Sequence, residues 1–427
     1  MTVKVRVTDG DDELLDAARI DLTAFGLPFR RTKEVAESLD RSLEWRRTTT
    51  TYLAELGGES VGTARVYDLA LSLPGGSVVP VSGIGDVGVL PGSRGRGVFG
   101  ELMRRMLDDG VERGHLAAVL YASEATIYGR FGFGPATRAR RVRIPVARAA
   151  LREDVSIAAG HAAVLEPAEW LGVLPTVYER SATRRGGEVN RSGEIWAKVL
   201  CDDGPAPRAM PGGMGEAPGA DGRFCMVHRN PAGVAVAYAL YSIHESWEPE
   251  GPAHSMTVDE VVAVDAASEL ALWQALFTVG LVQWIEVWVA CDSPLLGALA
   301  DRWAPLVTGE HDKLWLRILD PVAALAARRY RVPGEAVLTV GDGGPDGAPL
   351  TVNLSVASPG DVGTVVVDDG PADVTLGTAE LAEVVLGGGS LASLASIGRV
   401  TEARPGEAAR VDAMLGWSPL PFVTHHF

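Results

Sequence analysis

The run VGVLPGSRGRGVFGELMRRML, Val87 to Leu107, sets Gly95 and Gly97 among the arginines Arg94 and Arg96, directly ahead of an amphipathic stretch. Val87, Gly88 and Val89 alternate as a strand would, Pro91 ends it, and Val98, Phe99, Leu102, Met103, Met106 and Leu107 share one helical face. A strand, a glycine turn and a helix N-terminus in that order suit an anion. Glycine lets the backbone approach a phosphate, and the first-turn N–H groups, Gly100 among them, lack intrahelical acceptors at the positive end of the dipole. The chemistry indicated is the cradling of a pyrophosphate. No Lys-Ser/Thr pair follows the glycines, which excludes a nucleoside-triphosphate P-loop, and the three-glycine dinucleotide fingerprint is absent.

A second constellation, LYASEATIYGRFGFGPAT from Leu120 to Thr137, carries Ser123, Glu124 and Tyr128. A phenol with an ordinary pKa of about 10 is protonated near neutrality and can donate a proton. Taken alone, Tyr128 reads first as a packing aromatic.

Residues 1–150 supply the elements that must position these groups: strands at Val3 to Val7, Thr50 to Glu55, Val61 to Leu71, Val78 to Val89, Leu116 to Tyr121 and Ala139 to Val146, with helices at Asp11 to Phe25, Lys33 to Trp45 and after Gly97. Residues 151–317 form a second α/β unit, interrupted by the loop-forming run Pro205 to Gly222. Within it, Glu260 to Leu281 repeats the strand-then-helix plan, but Asp265-Ala266-Ala267-Ser268-Glu269 replaces the glycine turn, so a phosphate cannot be held the same way. Residues 318–427 read as a separate α+β unit, with helices at Val322 to Arg329, Thr378 to Leu386 and Leu391 to Ile397 and strands at Val337 to Val340, Leu350 to Val356 and Thr364 to Val367.

A length of 427 residues exceeds what a single core serves, and a net charge of −16 argues against nucleic acid while suiting cationic amines. Cys201, Cys225 and Cys291 are too scattered for a disulfide framework or a zinc site and are expected as core residues in a reducing cytoplasm. No metal is expected. The charged N-terminal run is unlike a signal peptide, and the apolar stretch Leu270 to Ala290 is broken by Gln274, Gln283 and Glu286, so no membrane span is expected. No G-x-S-x-G elbow or Cys/His signature supports a hydrolase.

The turn at Arg94 resembles the acetyl-CoA loop of the GNAT N-acetyltransferases, Gln/Arg-x-x-Gly-x-Gly/Ala, with Phe99 departing at the last position. VGVLPGSRGRG, ASEATIYGRFGFGPAT, LWLRILDPVAAL from Leu314 and the aromatic end of PFVTHHF together resemble the Eis (enhanced intracellular survival) family of aminoglycoside N-acetyltransferases. That resemblance implies two GNAT-like α/β domains, the second degenerate, then a sterol-carrier-protein-like α+β domain, assembled as a homohexamer. It implies acetyl-CoA as cosubstrate, bound by Val87, Gly88, Val89, Arg94, Gly95, Arg96, Gly97, Val98, Phe99, Gly100, Ser123 and Glu124. Tyr128 is implied as general acid, and the terminal carboxylate, here on Phe427, as general base.

An apolar last residue gives the tail something to bury, which anchors a carboxylate. His425 and His426 are rival bases, read otherwise as an exposed polar pair. The expected activity is acetylation of an amine on an aminoglycoside-like or other cationic small molecule. The alternatives are acetylation of lysine on a protein partner, or an apolar-ligand binding protein with a vestigial GNAT domain. The acceptor groove is expected around Ala24 to Trp45, with Phe25, Phe29, Arg30 and Arg31.

Overall fold

Strands β1 (Val3–Val7), β2 (Thr50–Leu56), β3 (Glu59–Ser72) and β4 (Val78–Val89) form an antiparallel run on which helix α1 (Asp11–Ala24) packs. Helix α2 (Val98–Glu112) then crosses over so that β5 (Ala117–Tyr121) pairs parallel to β4. Alternation decides what faces α2: Ile84, Ala118 and Leu120 pack with Val98, Leu102, Met103 and Met106, while Val81, Ala117 and Val119 face the other way. A short helix α3 (Ala125–Tyr128) and strand β6 (Gly134–Pro135) follow. The computed structural model describes residues 2–27, 43–44, 46–200, 222–344 and 347–427. The helix expected over Lys33 to Trp45 lies largely outside the described residues, as do Cys201, nearly all of the run Pro205 to Gly222, and Phe29 with Arg30 and Arg31.

The second sheet repeats the first. Strands β7 (Arg138–Pro145), β8 (His161–Leu165), β9 (Arg223–Arg229) and β10 (Ala235–His244) occur with helices α4 (Trp170–Ser181) and α5 (Gly193–Leu200), then a small hairpin of β11 (Trp247–Glu248) and β12 (Gly251–Pro252). Strand β13 (His254–Ala263), helix α6 (Ala266–Leu276) and strand β14 (Val282–Ala290) rebuild the parallel crossover, followed by helix α7 (Pro294–Ala298) and strand β15 (Leu306–Asp312). The order is β15-β7-β14-β13-β10-β9-β8, against β1-β2-β3-β4-β5-β16-β6 in the first sheet, where β16 is Leu314–Ile318.

The sixth strand of each sheet, counted from its antiparallel edge, is therefore exchanged. The strand expected at Ala139 to Val146 belongs, as β7, to the second sheet and not the first; β16 returns to the first, antiparallel to β5. Linear order could not reveal this, because both segments alternate correctly for either sheet. Leu314, Leu316 and Ile318 on β16 then point into the core of the third unit, and Trp315 points toward α2.

That third unit comprises α8 (Pro321–Ala327), strands β17 (Gly334–Val340), β18 (Leu350–Val356), β19 (Thr364–Val367) and β20 (Val374–Leu376), helices α9 (Thr378–Val385) and α10 (Leu391–Ser396), strand β21 (Thr401–Glu402) and α11 (Glu407–Leu415). Helix α9 packs on β16 and β6, so the third unit closes one face of the first sheet. Among the described residues no helix is long and apolar enough to cross a membrane.

Docking of α9 depends on Gly134, where a Cβ would lie 2.0 Å from the carbonyl oxygen of Ala379. Because backbone cannot yield as a flexible side chain can, Gly134→Ala should cost roughly 1–3 kcal/mol or more. The expected result is a lowered melting temperature by calorimetry; an unchanged transition would show that α9 can shift without loss.

Candidate active site

The hydrogen bonds between β4 and β5 run from Val81↔Ala117 to Ile84↔Leu120, yet β4 continues to Val89. Beyond Ile84 the strands part. A register shift between Thr63 and Arg65 in the β3 pairing marks a bulge, and Asp86 on β4 has φ 48°, a left-handed conformation uncommon for a residue with a Cβ. The backbone of Val87, Gly88 and Val89 is thereby turned away from β5, with its other edge still paired to Gly62 and Thr63. Gly88 is buried because α1 crosses it: a Cβ there would meet Ala24 at 2.9 Å.

The glycine turn lies at the end of this strand. Gly95 (φ 74°) and Gly97 (φ 82°) are left-handed, and residues 94–97 are exposed. Glu101 is the first amide of α2 with an intrahelical acceptor, Gly97 O at 3.0 Å, so the amides of Val98, Phe99 and Gly100 head the helix. No side chain caps this end. Arg94 folds back to the carbonyls of Val89 (3.4 Å) and Ala24 (3.2 Å), bracing turn, strand and α1, whereas Val98 wedges under the turn against Gly62. Phe99, the departure from the usual loop pattern, turns sideways and meets the Tyr128 ring edge-on at 5.8 Å. In α6 the equivalent terminus is occupied by the chain itself: Asp265 Oδ1 accepts from Ser268 N at 2.7 Å.

Tyr128 is 5% exposed and belongs to the cluster with Ile84, Val98 and Leu120. Burial raises its pKa, against the lowering effect of a hydrogen bond with Ser123, so the phenol stays protonated. Ser123 is half-buried, and Glu124 is exposed at the start of α3. Phe427 reaches the sheet from the opposite face. Its ring packs on Tyr67 (5.6 Å) and Tyr121 (5.1 Å), and a Cβ on Gly83 would come within 3.0 Å of it.

The two histidines before it are not an exposed pair. His425 is 6% exposed, and its Nδ1 accepts from Arg191 Nε at 3.2 Å, which commits the ring lone pair. His426 lies 3.9 Å from the Tyr121 ring, its Nδ1 sealed without a hydrogen-bond partner among the described residues, and burial followed by the charge of Lys313 lowers its pKa to about 3. One ring has its lone pair engaged and the other is a feeble base. The sequence pattern could not reveal this, since two polar residues near a terminus ordinarily stay in water.

The sequence also left unread a polar cluster beside Phe427. Arg65 stacks on Tyr67 at 4.7 Å and pairs with Asp86; Arg46 lies 3.1 Å from Asp21 and 3.8 Å from Asp86. Burial, then the charge of Asp86, raises the Asp21 pKa to about 7. Phe25, expected in the acceptor groove, is 46% exposed. Cys225 is buried and Cys291 half-buried. Among the described residues no group of three or more His, Cys, Asp or Glu is placed to hold a metal ion.

Comparison with known proteins bears on the family and the order of the units. Acetyltransferase (GNAT) domain models match residues 5–136 and 187–318, and a sterol carrier protein domain model matches residues 303–424. An uncharacterized N-acetyltransferase of Streptomyces avermitilis is 32% identical over 380 residues, 87% of this chain and 88% of the relative. The N-acetyltransferase Eis of Mycobacterium tuberculosis is 34% identical over 298 residues, 67% of this chain and 68% of the relative. The crystal structure of Eis1 from Mycobacterium abscessus superposes with a TM-score of 0.82 at 28% identity, covering 100% of both chains.

The His426 ring, half-buried with its Nδ1 sealed, makes a pH prediction. Folded, it stays neutral down to about 3; unfolded, it takes up a proton below its ordinary 6.5. Stability from this group is whole above about 6.5 and declines as pH falls toward about 3. His426→Phe keeps a ring on Tyr121 and cannot titrate, so the melting temperature of the native protein should drop increasingly below that of the variant between about pH 6.5 and 4. A constant difference across that range contradicts it.

Proposed function

Because the chain belongs to the Eis-type GNAT N-acetyltransferases, we propose that it transfers acetyl from acetyl-CoA directly to an amine of a small cationic, aminoglycoside-like acceptor, without an acyl-enzyme. The observation that carries the reading is the approach of Tyr128 and Phe427 from opposite faces of the sheet, beside the point where β4 and β5 part. A thioester in that gap would have a proton donor on the α2 side and a carboxylate on the other.

The amides of Val98, Phe99 and Gly100 and the turn at Gly95 and Gly97 receive the pyrophosphate, with the charge of Arg96 nearby. The backbone of Val87, Gly88 and Val89 offers N–H and C=O groups to the amide-bearing pantetheine arm, as in strand addition. Ser123 steadies the Tyr128 phenol. Directly or through a water, the Phe427 carboxylate takes a proton from the acceptor ammonium. The freed nitrogen attacks the thioester carbonyl, the C–N bond forms as the C–S bond breaks, and Tyr128 protonates the departing thiolate. The product nitrogen sheds its second proton, the phenol is restored through solvent, and one proton is released overall. Homohexamer assembly and a cytoplasmic location belong to the same proposal.

The acidic chain favours cationic acceptors at long range. Beside Phe427, however, Asp21 and Asp86 face Arg46 and Arg65, and Asp21 is partly protonated near neutrality, so the nearby wall carries no net negative charge and gives a polycation no local advantage. A screen of aminoglycosides, polyamines, simple amines and lysine peptides, read by thiol release, separates these acceptors. Against the apolar-ligand alternative, the groove where the third unit meets the first is lined by polar groups including Asp342, Thr378, Glu380 and Arg399.

Calorimetric titration should give one coenzyme A per chain, abolished by Gly97→Asp, which adds a charged side chain where the backbone is left-handed and the pyrophosphate would sit. Two sites per chain, or unchanged binding in the variant, would refute this division between the two GNAT units. Tyr128→Phe should lower kcat on the order of 10²-fold with coenzyme A affinity nearly intact. Full turnover, with chemistry limiting, would leave Tyr128 a packing residue.

A further inference from the structure

The second GNAT unit has its own parted strands. Pairing of β13 with β14 ends at Val258↔Val287, and Glu260 stands two residues beyond, as Asp86 stands two residues beyond Ile84 in the first unit. Glu260 meets Arg191, whose side chain is fully buried. Arg191 Nη2 and Nη1 reach the Glu260 carboxylate at 2.6 and 3.1 Å, and the guanidinium stacks on Tyr178 (4.0 Å) and Trp196 (4.7 Å). The same guanidinium donates to the tail: Nη2 to Thr424 Oγ1 at 3.0 Å and Nε to His425 Nδ1 at 3.2 Å.

Neighbouring contacts keep the tail in one register. Leu420 N donates to Asp292 (2.7 Å) and Leu420 O accepts from Arg185 (2.8 Å); Phe422 N donates to Gly186 O (3.0 Å), and Thr424 N to Glu188 (3.2 Å). Residues 187–190 are themselves bonded to the end of β3 through Ser72 N→Glu188 O and Asn190 N→Ala70 O. The tail is thus fastened, three residues before Phe427, to a segment that is part of the first sheet's edge. Tyr121 then donates to the carbonyl of His425, next to the Phe427 ring.

We propose that Arg191 of the central unit is a positioning residue for the Phe427 carboxylate, and that this unit, lacking a glycine turn, holds the general base of the first unit in place. The proposal rests on the reading of that carboxylate as the base. Arg191 touches neither coenzyme A's turn nor Tyr128; it acts through Thr424 and His425. A planar guanidinium serves Glu260, Thr424 and His425 from three separate nitrogens, a spread that the single nitrogen of an ammonium does not reproduce. Misplacing a reacting group by about 1 Å can cost on the order of 10²-fold.

The experiment is steady-state kinetics on the full-length protein with Arg191→Lys and with Thr424→Val, each alone and combined with deletion of Phe427. Thr424→Val leaves the Arg191–Glu260 pair whole, so it decides the matter should Arg191→Lys fold poorly. Expected is a kcat loss of about 10- to 100-fold for each single variant, with KM for acetyl-CoA within about twofold, and no further loss when either is added to the Phe427 deletion. If the deletion abolishes turnover while both single variants work at the native rate, the positioning role is wrong and the base stands. If the losses multiply on the deletion background, Arg191 acts elsewhere and the proposal fails. Full turnover after deletion of Phe427 overturns the carboxylate reading itself, and this inference with it.

Discussion

The separation of β4 from β5 beyond Ile84 and Leu120 is the constraint around which the first unit is built. Parting two parallel strands leaves backbone N–H and C=O groups on both edges without ladder partners, and such groups need ligand or water. The bulge opposite Thr63 and the left-handed Asp86 turn β4 out of the sheet, and the pairing of Asp86 with buried Arg65 holds that conformation. The groups proposed for the reaction border the gap: the glycine turn at the end of β4, Tyr128 just after β5, and Phe427 on Gly83 and Tyr121.

The two faces of the sheet meet different neighbours. Leu120 and Ile84 look toward α2 and Tyr128, while Val119 and Val81 look toward the third unit and Phe427. A free tail would sample many positions, and fixing its end would carry a large entropic cost. Here Thr424 and His425 are held by buried groups of the central unit, so only two residues remain beyond the anchor. The exchange of β7 and β16 makes the two sheets inseparable, and α9 on β16 and β6 ties in the third unit.

The central unit carries no glycine turn ahead of α6, and its helix terminus is already engaged. Asp265 accepts from Ser268 N and so occupies the helix terminus that an anion would need. Its Glu260, on the far side of the parted strands, is neutralised by Arg191 in a buried pair, which favours the ionised carboxylate despite burial. The remaining arrangement is structural, and it is rigid because breaking a buried ion pair is costly.

The sequence by itself determined most of the elements and the glycine turn, because these depend on local periodicity and residue type: the alternation of Val78 to Val89, the helical face from Val98 to Leu107, and glycines at 95 and 97 where left-handed backbone is required. The replacement of that turn by Asp265 to Glu269 was equally legible, since a capping aspartate acts within three residues. Only the tertiary structure decided which sheet receives β7 and β16, because alternating strands fit either. It alone buried His425 and packed His426 against Tyr121, contrary to their polar, terminal character, and joined Arg191 to Thr424 across more than two hundred residues. Such contacts follow from packing between distant segments, and no local pattern encodes them.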